Sequence, residues 1–260
     1  MIDIHCHIVP SIDDGAKDLE TSVEMLKIAK EDGIRKIIAT PHFYMEGSFE
    51  NKYEDVSKKV EELNIEAKKR NIDIEILPGQ EVFLDKHTLE YYKRGIIQPL
   101  HKTKYMLLEF HGGEFPKHAL DTIYELKILG IKTIIAHPER YPYFFNDNLT
   151  LLNNFISEGC LFQVTAGSIL GIYGKECKKS AKKLIENNVC DFIASDAHGT
   201  GRRKPVLSEC CKLLKNNNEQ LYKRVTANAS RLVGGQDIEV VHRKIEVKKG
   251  FFSRVFGRRK

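Results

Sequence analysis

An alternation constrains this 260-residue chain more than any other feature: short apolar, β-branched runs are followed by longer amphipathic stretches. That rhythm is expected of parallel strands joined by crossover helices. It predicts seven strands, at Ile2 to His7, Lys36 to His42, Ile74 to Val82, Lys104 to Phe110, Lys132 to His137, Leu161 to Ala166 and Asp191 to His198. Several are almost continuously apolar, as strands buried on both faces should be. Helices are predicted at Leu19 to Asp32, Tyr53 to Arg70, His87 to Lys93, Ala119 to Leu129, Leu151 to Glu158, Cys177 to Asn187, Leu207 to Asn216 and Glu219 to Leu232. Seven units in about 235 residues suit an α/β fold of the distorted seven-stranded β/α barrel type, since eight units need about 250 residues. An open doubly wound sheet is the alternative. Neither G-x-G-x-x-G nor G-x-x-x-x-G-K-[ST] follows any of these strands, so dinucleotide and P-loop readings lose their main support.

Hydrophobic residues make up 42% of the chain and charged ones 30%, enough apolar chain for a sizeable core and too little bias for general disorder. The formal net charge of +5 is unevenly placed. Eight basic residues against Glu246 give the last eighteen residues +7 and leave the body at about −2. A slightly acidic body argues against nucleic-acid binding. The expected division is therefore a body over 1–235 and a basic, aromatic-containing tail over 236–260. Lys248, Lys249, Arg254, Arg258, Arg259 and Lys260 interleave there with Phe251, Phe252 and Phe256, a composition suited either to a solvated terminus or to an anionic membrane surface. No apolar run approaches the roughly 18 residues of a membrane span, and the N-terminus lacks the zones of a secretory signal, so a cytoplasmic protein is expected, peripheral to the membrane at most. Cys6, Cys160, Cys177, Cys190, Cys210 and Cys211 show no C-x-x-C spacing and read as reduced thiols.

The chemistry collects at one end of the strands. His5, His7, His42, Glu81, Glu109, His137, Asp196 and His198 all fall at or just beyond predicted strand C-termini, the rim where barrel active sites sit. Residues two apart on a strand share a face, so His5 and His7 can converge while Cys6 turns away. A lone H-x-H is weak evidence. Five histidines and three carboxylates on separate strand ends are another matter, since burying them without a cation or a complete hydrogen-bond network is costly. Nitrogen and oxygen donors without thiolate favour manganese, iron or zinc in open sites. One carboxylate of Asp13-Asp14 could complete the set, which is too large for one ion and natural for two or three. Arg140, and Arg202 and Arg203 beyond Gly199-Thr200-Gly201, fall at the same rim and offer the donor fork that holds phosphate oxygens. No cysteine is followed six positions later by arginine, so the thiolate phosphatase loop is absent. Phe43, Tyr44, Phe115, Tyr141, Tyr143, Phe144 and Phe145 lie near the rim as candidate pocket walls or packing residues.

The segments Asp3-Ile4-His5-Cys6-His7, Asp13-Asp14-Gly15, Thr40-Pro41-His42, Gly79-Gln80-Glu81, His137-Pro138-Glu139-Arg140-Tyr141 and Ala194-Ser195-Asp196-Ala197-His198 resemble the polymerase and histidinol phosphatase (PHP) superfamily. Within it, the chain from Met1 to about Val233 is most similar to the bacterial manganese-dependent protein-tyrosine phosphatases of capsule and exopolysaccharide loci. The resemblance implies three ions, most naturally manganese, with iron or zinc as alternatives. It assigns His5, His7, Glu81 and Asp196 to one ion, Glu81, Glu109 and His137 to a second, and Asp14, His42 and His198 to the third. It gives Arg140 and Arg203 to the phosphate, with Arg202 able to substitute, and implies an autophosphorylating bacterial tyrosine kinase as partner. The expected chemistry is hydrolysis by a metal-bridging hydroxide. Two rival readings are a PHP phosphoesterase acting on a small metabolite such as histidinol phosphate, and a non-catalytic, metal-stabilised protein that binds a kinase or a membrane. A nucleic-acid exonuclease of the same superfamily is disfavoured by the acidic body.

Overall fold

The structure is a computed structural model and describes residues 1–44, 49–145 and 149–246. Among the described residues ten strands follow in chain order: β1 Ile2–Cys6, β2 Lys36–Ala39, β3 His42–Tyr44, β4 Phe49–Glu50, β5 Glu75–Pro78, β6 Glu81–Phe83, β7 Tyr105–Glu109, β8 Lys132–Ala136, β9 Leu161–Thr165 and β10 Phe192–Ala194. The helices are α1 Leu19–Asp32, α2 Tyr53–Lys69, α3 Thr88–Lys93, α4 Ala119–Ile128, α5 Thr150–Glu158, α6 Ala166–Leu170, α7 Lys175–Glu186, α8 Ser208–Asn217 and α9 Glu219–Val233. Helix α1 has its ends set by local chemistry: Asp18 caps the Thr21 amide, and Gly33 ends the helix at φ 88°.

The expected single seven-stranded barrel is corrected in one respect. Among the described residues the strands form two sheets, of order β1-β2-β5 and β10-β9-β8-β7-β6-β3-β4, parallel apart from the β3–β4 hairpin. Two predicted strands are each broken in two. The run Lys36 to His42 changes sheet between β2 and β3, where Pro41 has no amide to continue a ladder. The run Ile74 to Val82 changes sheet between β5 and β6, at Gly79, where a Cβ would come within 2.7 Å of the Ile38 side chain and 2.8 Å of Leu100. The sheets meet without a regular ladder. Single hydrogen bonds from the His7 amide to Ala197 O (2.8 Å) and from the Asp196 amide to His5 O (2.9 Å) join β1 to the chain beyond β10. The buried Asp3 carboxylate accepts from the Ser195 amide at 3.0 Å and from its hydroxyl.

Strand parity sorts the interior. Ile4, Ile38, Leu77, Tyr105, Leu107, Ile134, Leu161 and Phe192 form one apolar cluster between the two sheets. Alternate neighbours such as Ile37, Ile76, Met106, Leu108, Ile135 and Phe162 join the larger cluster beneath the helices. Beyond α9, residues 236–246 lie against the body. The Tyr105 hydroxyl accepts from the Ile238 amide (2.8 Å) and donates to Gln236 O (3.0 Å). Asn153 exchanges two hydrogen bonds with the Ile245 backbone. The aromatic and basic residues of the expected tail, from Lys248 onward, lie outside the described residues.

Candidate active site

Three inward-facing rows end in a polar side chain aimed at one rim. In β7 the row Tyr105, Leu107 finishes with Glu109; in β9 Leu161 is followed by Gln163; beyond β10 the row Phe192, Ala194 reaches Asp196. A register break between Asp3 and Cys6 lets His5 and His7 follow Ile4 on the inner side, while Cys6 packs beneath the helices. His137 and Asp196 occupy left-handed backbone at φ 33° and 51°. Non-glycine residues seldom adopt that conformation, and it clusters at functional sites.

The donors converge. His5 Nε2 lies 3.2 Å from His7 Nε2, and each lies 3.2 Å from Glu81 Oε2 and within 3.5 Å of Asp196 Oδ1. His42 Nδ1 is 3.1 Å from Glu81 Oε2 and 3.3 Å from Glu109 Oε2. His137 Nε2 reaches the same two acids through their other oxygens, at 2.7 Å and 3.6 Å. Asp14 Oδ1 is 3.4 Å from Nε2 of both His42 and His198. The donor atoms thus fall into three groups, within each of which they lie no more than 4.8 Å apart: His5, His7, Glu81 and Asp196; His7, Asp14, His42 and His198; and His42, Glu81 and Glu109. His7, His42 and Glu81 link them.

These residues fit divalent cations. Ligands about 2.0–2.2 Å from one ion sit about 3 Å from each other, the spacing seen here. Glu81 Oε2 and Asp196 Oδ1 are buried and take no hydrogen bond. Such oxygens are costly unless a cation completes them. The imidazoles are also aimed from behind, His5 Nδ1 by Gln163 Oε1 at 2.8 Å, His7 Nδ1 by Asp13 Oδ2 at 2.7 Å and His198 Nδ1 by Asp196 O at 3.0 Å. Partners of this kind orient metal-ligating imidazoles. Asp13 and Asp14, left open by the sequence, divide the work: Asp13 orients His7 and Asp14 faces the donor cluster. Gly15 is required beside them, because a Cβ there would stand 2.2 Å from His7 O.

The electrostatics carry the same imprint. Burial opposes charge on His7, but Asp13, Asp196 and Glu81 overcome it and hold the imidazolium well above the ordinary histidine range. Burial likewise opposes charge on His42, which Glu81, Asp14 and Glu109 raise to about 10. Burial would raise Glu81, but His5, His42 and His137 pull it well below the usual carboxylate range. Asp196 is held low against its burial by His5, Arg140 and His7. The acids that favour a proton on these imidazoles would equally favour a bound cation, for which each coordinating nitrogen must be unprotonated.

Two guanidiniums border the cluster. Asp196 turns Oδ1 towards His5, His7 and His198 and Oδ2 towards arginine: Arg140 Nη2 donates to Oδ2, and Arg203 Nη2 does so at 2.9 Å. Arg202 instead donates to Ile172 O. Of the rim aromatics, Phe43, Tyr141 and Phe144 are buried in the core, whereas Tyr44, Phe115, Tyr143 and Phe145 are partly exposed. Sequence reasoning missed Gln163, which the strand parity of Leu161 could have revealed, and Tyr173, whose ring centre lies 4.6 Å from the Arg140 guanidinium. All six thiols are pushed above their ordinary pKa by burial, the reverse of what an activated nucleophile requires.

Comparison with known proteins yields a consistent set. A sequence family described as "Capsular polysaccharide synthesis, CpsB/CapC" matches residues 1–233. Tyrosine-protein phosphatase YwqE of Bacillus subtilis is 38% identical over 239 residues, covering 92% of this chain and 93% of that protein. Tyrosine-protein phosphatase CpsB of Streptococcus agalactiae is 34% identical over 219 residues, 82% and 89% of the two chains. Among solved structures, a chain from the crystal structures of YwqE from B. subtilis and CpsB from Streptococcus pneumoniae, described as unique metal-dependent tyrosine phosphatases, superposes with a TM-score of 0.89 at 35% identity. That match covers 95% of this chain and 100% of the other. An organophosphorus hydrolase shares the fold alone, with a TM-score of 0.53 at 13% identity.

Proposed function

Because the chain belongs to the CpsB/CapC capsular polysaccharide synthesis family, we propose that it is a metal-dependent protein-tyrosine phosphatase whose metal ligands are His5, His7, Asp14, His42, Glu81, Glu109, His137, Asp196 and His198. One observation carries the reading: three overlapping groups of imidazole and carboxylate donors, with Arg140 and Arg203 bound to the outer oxygen of one member, Asp196. In this reading the two sheets serve as one distorted β/α barrel that delivers these donors to a single rim. Divalent ions bound there supply Lewis acidity and acidify water. The donor set suits manganese, with iron or zinc able to replace it.

The chain's own residues account for the rest. Asp13, Gln163 and the Asp196 carbonyl hold three imidazoles with their second nitrogens aimed inwards. Arg140 and Arg203 turn from Asp196 to the non-bridging oxygens of a phosphoryl group and neutralise charge that grows during in-line displacement. Tyrosine leaves as a phenolate of pKa near 10, so proton donation to the leaving oxygen is less demanding than for a serine alkoxide. The capsule setting of the family supports a bacterial tyrosine kinase as the phosphotyrosyl substrate. No described helix is long and apolar enough to cross a membrane, and the basic, phenylalanine-bearing sequence beyond Ile245 supports a peripheral contact with anionic lipid.

The test is hydrolysis of a phosphotyrosyl peptide by the full chain, before and after chelation and after manganese is restored, with histidinol phosphate in parallel. Activity lost with the metal, regained with manganese and directed to the peptide is the expected result. Preference for histidinol phosphate would move the chain to small-metabolite chemistry, and bound metal without phosphate release would make it a binding protein.

A further inference from the structure

Tyr173 stands on the turn between α6 and α7, bounded by Gly171 at φ 88° and Gly174 at φ 96°. The turn is tied back by hydrogen bonds from Ile172 N to Gly167 O (2.8 Å) and from Gly174 N to Gly171 O (3.2 Å). It folds the phenol ring over Gly167, where an added Cβ would lie 2.5 Å from Tyr173 Cε2. The other face of the site supplies the ring's partners. The Arg140 guanidinium lies over it at 4.6 Å, and Arg202 ties the two rim loops together by donating to Ile172 O. Burial raises the Tyr173 phenol above its ordinary pKa, while the positive charges of Arg140 and Arg203 pull it back.

Arg140 and Arg203 share one oxygen of Asp196. To bind a phosphoryl group they must leave that oxygen at least in part, and a long side chain freed from its only anchor regains rotamer entropy. A second anchor that does not compete for the guanidinium edge removes that cost. An aromatic face is such an anchor, since it holds the cation by its plane and leaves the N–H fork free. We propose that Tyr173 is a positioning residue whose ring holds Arg140 beside Arg203, so that the two form a paired fork for the phosphoryl group. Gly167 is the clearance that lets it do so, and Arg202 fastens the loop that carries it. The inference rests on the phosphatase reading for its substrate, but phosphate binding reads it separately.

The test measures inorganic phosphate binding by calorimetry, together with kcat and KM on a phosphotyrosyl peptide, using the metal-loaded full chain with its metal content determined. Tyr173→Leu is expected to weaken phosphate binding roughly tenfold and lower kcat/KM by at least as much, the scale of a desolvated cation–π contact. Metal content stays unchanged. Tyr173→Phe, which keeps the ring, stays within about threefold, and Gly167→Ala, which displaces the ring by another route, matches Tyr173→Leu. In an Arg140→Ala background Tyr173→Leu costs no more than about threefold further. Unchanged phosphate affinity in Tyr173→Leu and Gly167→Ala, or an undiminished tenfold loss without Arg140, would overturn the proposal. Should Tyr173→Leu fail to fold, Gly167→Ala and Tyr173→Phe still decide it. Absence of peptide hydrolysis in the unmodified chain would sink the phosphatase reading and leave the phosphate-binding comparison to judge Tyr173.

Discussion

The two ends of the space between the sheets are built from the same strands and differ in what they hold. At the lower end Ile4, Tyr105, Ile134, Leu161 and Phe192 pack as an apolar layer, closed by Ile238. One or two inward positions further along, the chain presents His5, Glu109, Gln163 and Asp196. Burying the lower side chains contributes on the order of 1.5–3 kcal/mol each. Burying unpaired charges at the upper end would cost several kcal/mol each. One end therefore holds the backbone rigid while the other gathers groups that repel or lose water. A donor cluster of this kind needs the apolar layer beneath it, but the layer does not need the cluster.

That asymmetry is open to attack from both sides. The largest effect is expected at the upper end, where His5→Ala should lower peptide turnover by more than about 100-fold, beyond the cost of losing a group that only orients a ligand. Circular dichroism of the variant should show the fold intact; collapse would break the asymmetry. Next, Arg140→Ala and Arg203→Ala should each lower kcat/KM by about 10²-fold or more while metal content is retained, whereas Arg202→Ala stays within a few-fold because its guanidinium is spent on Ile172 O. Equal losses for all three would show that the structure does not separate them. At the lower end the sign of the pattern reverses. Tyr105→Phe removes a buried hydroxyl that serves both Gln236 and Ile238, and denaturant titration should find the fold about 1–3 kcal/mol less stable with kcat little changed. The smallest effect is expected from thiol alkylation of the native chain, since Cys6, Cys160, Cys190 and Cys210 are buried and no thiol is activated. Stoichiometric inactivation by an alkylating agent would contradict that.

Much of this was legible in the residues alone. Helix α1 occupies the predicted span Leu19–Asp32, and eight of the nine proposed ligands fall at the ends of predicted strands, Asp14 lying instead in the loop beyond β1. Less legible were the breaks at Thr40-Pro41 and Gly79-Gln80. Both follow continuous β-forming runs, and the decision to change sheets depends on Ile38 and Leu100 crowding Gly79. The short helix α6 was hidden for a related reason, because Ala166 extends an apolar strand run locally and only the packing of the following turn bends it away. Local pattern reports what a residue prefers. It does not report which other stretch of chain comes close enough to override that preference.

Hydrophobic period, caps and the kinds of side chain at strand ends could be read from the chain in order, because they depend on neighbours a few residues away. The division between Asp13 and Asp14, the sharing of Asp196 between imidazoles and guanidiniums, the diversion of Arg202 to Ile172 and the placing of Tyr173 beneath Arg140 could not. Each joins residues separated by tens to nearly two hundred positions, or turns on an atom's direction. Such choices are settled only when packed elements leave one donor facing the cluster and send its neighbour elsewhere.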